Sequence, residues 1–165
     1  MISEPIIEQR AEQPYLGIRT QVSMQDFGTL IQPSFIELGE WMDQHGIEHA
    51  GPRMIRYHAI DSAGNLDVEM AVPVAAHVQG EGRINRGTMP AGRYAKVLYT
   101  GDYEGLYGAN SALVGWAETN GVAWDHWEGE RGDTFAGRAE WYYSDSHDGS
   151  DPSTWETEIA IKLKE

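Results

Sequence analysis

The chain has 165 residues and no cysteine, which removes disulfides, thiol nucleophiles and zinc–thiolate sites together. Basic residues are also scarce: 12 Lys and Arg stand against 26 Asp and Glu, a net charge of −14. A field of that sign repels phosphate backbones and anionic lipid, so neither direct nucleic-acid binding nor membrane binding is expected, while cationic partners are favoured. No apolar run is long enough to span a bilayer, and no basic-then-apolar leader opens the chain, so a cytoplasmic location is expected. His45, His49 and His58 are scattered without metal-ligand spacing, and His77, His126 and His147 fall in predicted loops. Residues 80–87 are Gly-rich but lack the Lys-Ser/Thr ending of a phosphate loop. There is no G-x-S-x-G elbow. Asp145, Asp148 and Asp151 approach a calcium-loop spacing, but no Glu follows at the right place and no helix flanks them. Neither a metal nor a cofactor is expected.

What is abundant is aromatic: 6 Trp and 8 Tyr, with 6 Met. Such a chain often lines a pocket rather than only filling a core. Its length suits one domain, and the order of elements repeats. Residues 15–22 (YLGIRTQV) answer 94–101 (YAKVLYTG), and 35–47 answer 112–122, two helix ends that each close on a Gly. Residues 52–61 (PRMIRYHAID) answer 137–145 (GRAEWYYSD), and 66–74 (LDVEMAVPV) answer 155–163 (WETEIAIKL). The expected fold is α+β: two β-α-β-β repeats, about 14–76 and about 88–164, related by a pseudo-twofold axis. One antiparallel sheet would carry two helices that flank a ligand groove. The first helix is predicted over 25–46, with its first turn separate or kinked at Pro33. The second runs from Asp102 as N-cap to Gly121, with Tyr103, Leu106, Tyr107 and Leu113 on its inner side. Residues 80–89 are predicted to add a strand, 124–133 to form a charged surface loop, and 144–153 a long polar turn.

Glu140 is the residue to explain. It interrupts an apolar strand between Ala139 and Trp141, and alternation puts it on one face with Tyr142. A carboxylate among aromatics is costly unless a cation, tyrosine or arginine meets it. Aligned by the repeat, Arg56 matches Glu140 and His58 matches Tyr142, which makes Arg56 a candidate internal partner. His58 reads as a hydrogen-bonded core or rim residue. Trp155 is expected on the apolar face of the last strand with Thr157, Ile159 and Ile161, as core or as pocket wall. Glu156 and Glu158 alternate to the other face. Tyr107 and Phe35 lie on the helices that border the groove.

Four segments carry a family resemblance. They are 89–95 (MPAGRYA), 100–107 (TGDYEGLY), 112–121 (ALVGWAETNG), and Glu140-x-Tyr142 followed by 155–159 (WETEI). In order and spacing they resemble the GyrI-like effector-binding domain, also met as the drug-binding domain of BmrR-type and Rob-type regulators. The likeness covers nearly the whole chain. It departs after Tyr142, where residues 144–152 replace a short Asp-Pro turn and the pocket rim differs. The resemblance implies a groove for amphipathic, aromatic, cationic small molecules, with Glu140 at its floor and Tyr142, Trp155, His58, Tyr107 and Phe35 around it. It also implies two alternatives. Some stand-alone members hydrolyse reactive cyclopropane-bearing compounds, a role in which Glu140 would activate water and Tyr142 or Trp155 would hold the ligand. A gyrase-inhibitor-like member would instead bind an unidentified protein partner. No helix-turn-helix segment precedes residue 15, so the chain is not expected to act as a DNA-binding regulator by itself.

Overall fold

A computed structural model describes residues 1–144 and 149–165. The elements run β1 (Ile6–Arg10), β2 (Gln13–Ser23), α1 (Met24–Gln44), β3 (Met54–Ile60), β4 (Asn65–Pro73), β5 (Ile84–Met89), β6 (Gly92–Thr100), α2 (Leu106–Thr119), β7 (His126–Gly129), β8 (Gly132–Phe135), β9 (Arg138–Tyr142) and β10 (Glu156–Lys162). The fold is α+β, with ten strands in one antiparallel sheet. The order is β1-β6-β10-β9-β3-β4-β2-β5, with the β7–β8 hairpin paired to the end of β3.

Read as repeats, that order is a palindrome. β2-α1-β3-β4 and β6-α2-β9-β10 are the two units, and β3 meets β9 at the centre with Ile55 opposite Glu140. The outer strands are exchanged. β1 leads into the first unit but pairs with β6 of the second, and β5 leads into the second unit but pairs with β2 of the first. Each crossing uses only residues 11–12 or 90–91, a reach of about 10 Å. The sheet is therefore open but curled, with its flanks tied at one end.

Strand alternation sorts the two faces. Toward the helices point Leu16, Ile18 and Val72, covered by Leu38 and Met42 of α1, Val68 and Met70, covered by Phe27 and Phe35 of α1, and Val97, Ile159 and Ile161, covered by Ala109 and Leu113 of α2. The opposite face closes on Tyr15, Met54, Met89, Tyr94, Ala139 and Trp141. Gly46 and Gly121 end the helices with φ of 64° and 67°, the left-handed turn that glycine adopts at low cost.

Two expectations need correction. α1 is one element through Pro33, with Ser23 as its N-cap accepting from the Asp26 amide, so no separate first turn exists. Residues 124–133 are not a plain loop, because Gly129 and Gly132 bracket a two-residue turn that folds β7 onto β8. Residues 145–148 of the turn after Tyr142, with Asp145, His147 and Asp148, lie outside the described residues. Among the described residues no helix is long and apolar enough to cross a membrane.

Candidate functional site

β9 reads Arg-Ala-Glu-Trp-Tyr, so Arg138, Glu140 and Tyr142 face the helices while Ala139 and Trp141 join the opposite core. Glu140 is 5% exposed. Its Oε1 accepts hydrogen bonds from the Tyr142 hydroxyl at 2.6 Å and the Tyr57 hydroxyl at 3.1 Å. Its Oε2 accepts from Asn110 Nδ2 of α2 at 2.9 Å. Among the described residues no Lys, Arg or His forms an ion pair with it. The nearest arginine on this face, Arg138, reaches only Asn110 Oδ1, at 3.4 Å.

Burial, and then the Glu140 charge, push the Tyr57 and Tyr142 phenols well above their ordinary range. Both therefore remain protonated donors at neutral pH. Burial pulls Arg138 the other way, below its ordinary value, and its guanidinium lies 4.7 Å from the Phe135 ring centre. An aromatic group adjoins the carboxylate. Tyr103, on a short 3-10 turn before α2, packs edge-on against Tyr142 at 5.8 Å and at a tilt against Trp155 at 4.8 Å. Phe27 of α1 meets Tyr57 edge-on at 6.3 Å. Thr157, opposite Tyr142 in the ladder, is fully buried and its hydroxyl has no partner among the described residues.

Residues 3–164 match the GyrI-like small molecule binding domain. The chain belongs to the GyrI-like family. No curated protein sequence matches it. In fold it is similar to the C-terminal domain of EcmrR, with a TM-score of 0.76 at 22% identity over 98% of both chains. The chain spans 57% of the EcmrR chain seen in its DNA complex. It is also similar to SAV2435 bound to tetraphenylphosphonium, with a TM-score of 0.69 at 13% identity over 98% of this chain and 94% of that one. A hydrolase from Listeria innocua has a TM-score of 0.61 at 12% identity over 98% and 92% of the two chains.

The remaining residues expected around the groove of this GyrI-like chain are dispersed. His58 lies on the other face of the sheet, where its Nε2 meets Glu69 Oε1 at 2.9 Å. Arg56 is on that face too, donating to Tyr15 Oη at 3.0 Å and to the Thr88 and Ala136 carbonyls. Matching Arg56 to Glu140 was thus one residue out of register, and a slip of one moves a side chain through the sheet. Ile55 pairs with Met70 as Glu140 pairs with Ile159, and Tyr57 with Val68 as Tyr142 with Thr157, so Tyr57 holds the place that corresponds to Tyr142. Trp155 stands before β10 rather than within it, follows the 3-10 turn Pro152–Thr154, and donates from Nε1 to Ser150 Oγ at 3.0 Å. Phe35 is core, packed with Phe27, Ile55 and Met70 beneath α1, with Tyr57 and Tyr142 against the same cluster. Tyr107 is 81% exposed in the first turn of α2, outside every described ring contact.

The sequence reading missed Tyr57, Asn110 and Arg138. Tyr57 was visible through alternation with Ile55 once the register is right. Asn110 sits in the 106-110-113-117 stripe of α2, where a polar residue among apolar ones is the signal. Two surface hollows, each about 500 Å3, lie away from Glu140.

Proposed function

We propose that this GyrI-like chain binds aromatic, cationic small molecules at Glu140, to sequester them or to sense them. The observation that carries this reading is a buried carboxylate held by neutral donors alone. Tyr57, Tyr142 and Asn110 satisfy three of its lone pairs without cancelling its charge. A lipophilic cation entering between α1 and α2 supplies the missing charge, and the Tyr142, Tyr103 and Trp155 rings supply faces for it. Support comes also from the kinship in fold with SAV2435 bound to tetraphenylphosphonium, itself a lipophilic aromatic cation. The same three donors occupy most of the carboxylate's acceptor positions, which leaves little of it free to activate a water. That favours capture over hydrolysis.

The test is calorimetric titration with tetraphenylphosphonium, Glu140→Gln alongside, followed by recovery of the ligand. Binding in the parent, a loss of about 1–3 kcal/mol in the variant, and intact ligand are expected. Equal affinity in parent and variant would remove Glu140 from the site, and a chemically altered ligand would replace capture with turnover.

A further inference from the structure

We infer that the site also reads a second group on its ligand, a carbonyl or carboxylate acceptor taken by Arg138, so that the preferred ligand is an aromatic cation carrying an acceptor about 6–7 Å from its charge. This rests on the reading of Glu140 as the cation site. The spacing is that of alternate residues on one strand, since Arg138 precedes Glu140 by two positions on the same face of β9.

Arg138 differs from three other arginines of the sheet. Arg10 pairs with Glu8 and Glu158, Arg19 holds Asp67 through two bonds, and Arg56 reaches three acceptors. A guanidinium has five N–H donors, yet the one described hydrogen bond of Arg138 is the long contact to Asn110 at 3.4 Å. No described carboxylate lies within ion-pair distance of it. None of its nitrogens is among the fully buried, partnerless ones, so the donors without a described partner keep some contact with solvent, from which an acceptor can reach them. Asn110 also keeps the charges apart: its amide nitrogen faces Glu140 and its oxygen faces Arg138. A separated pair of opposite charges, held rather than collapsed, matches a ligand with the opposite dipole.

Two matched probes test this: pentyltriphenylphosphonium, and (4-carboxybutyl)triphenylphosphonium at a pH where its acid is ionised. The protein carries a net charge of −14, so without Arg138 as a receptor the added carboxylate weakens binding. The expected result is that the parent binds the carboxylated probe at least as tightly as the alkyl one. Arg138→Met should then weaken the carboxylated probe tenfold or more relative to the alkyl probe, whose binding also reports that the variant is folded. A parent that binds the alkyl probe but much prefers it over the carboxylated one overturns the inference, as does a preference unchanged in Arg138→Met. Should the variant not fold, the parent's own preference decides. A parent that binds neither probe removes the Glu140 cation site and this inference with it.

Discussion

Tyr57 and Tyr142 donate to the same oxygen, Oε1 of Glu140, from two strands that pair side by side at the centre of the sheet. Each therefore partly backs up the other. Phe at either position leaves one phenol on Oε1 and should cost about 1 kcal/mol. Phe at both leaves a buried oxygen with no described donor. The double variant should thus lose more than the sum of the singles, as read by urea unfolding. Simple additivity would mean that water takes over from the phenols and that Glu140 is less sequestered than its burial indicates.

The two repeats were legible because their strands alternate cleanly and their helices end on Gly46 and Gly121. Glu140 was legible for the opposite reason: it breaks the apolar pattern of its strand. Its partners were less so. Tyr57 and His58 are adjacent aromatic polar residues, and only the ladder, which changes register between Tyr57 and Ala59, decides which one faces the helices. The strand exchange was hidden, since nothing local in residues 6–10 says that they pair with residues 92–96. Arg138 was passed over because the misaligned repeat offered Arg56 as the candidate partner of Glu140.

His58 gives the protein a pH dependence of stability. Burial holds its folded pKa below the ordinary 6.5, and the hydrogen bond that its ring makes to the Glu69 carboxylate only partly opposes this. The unfolded chain binds the proton more readily, so stability is full above about pH 6.5 and falls as the pH drops toward the folded value. Thermal unfolding at pH 7.5 and 5.5 should show that fall in the parent and a smaller one in His58→Gln. An equal fall in both would place the responsible group elsewhere.

Two glycines near α2 should respond in opposite directions. A Cβ at Gly105 would stand 1.9 Å from the Tyr99 hydroxyl and 2.6 Å from its ring carbon, whereas one at Gly115 meets nothing within 4 Å. Gly105→Ala forces Tyr99 or the turn bearing Tyr103 to shift and should cost about 1–3 kcal/mol. Gly115→Ala, inside α2, should gain about 0.5–1 kcal/mol. Unfolding curves for both variants check this, and the fluorescence of Trp155, which packs on Tyr103, should change only in Gly105→Ala. A Gly105→Ala protein as stable as the parent would show that the turn yields freely.

The exchanged strand β1 is fastened by Arg10. Its guanidinium donates to Glu158 Oε1 at 2.6 Å and lies 5.3 Å and 5.1 Å from the Tyr94 and Trp141 ring centres. Glu158 is buried on the face opposite Glu140, and its other described cation, Lys96, is farther at 3.5 Å and shared with Glu8. Arg10→Met keeps the stem that packs on the rings but leaves Glu158 poorly matched. Because the pair is partly open to solvent, the loss should be about 1–3 kcal/mol, below that of a fully buried pair. Glu158→Gln in the same chain removes the unmatched charge and should restore much of the loss. If the double variant is no more stable than Arg10→Met alone, Arg10 holds β1 through its stacking on Tyr94 and Trp141 rather than through its charge.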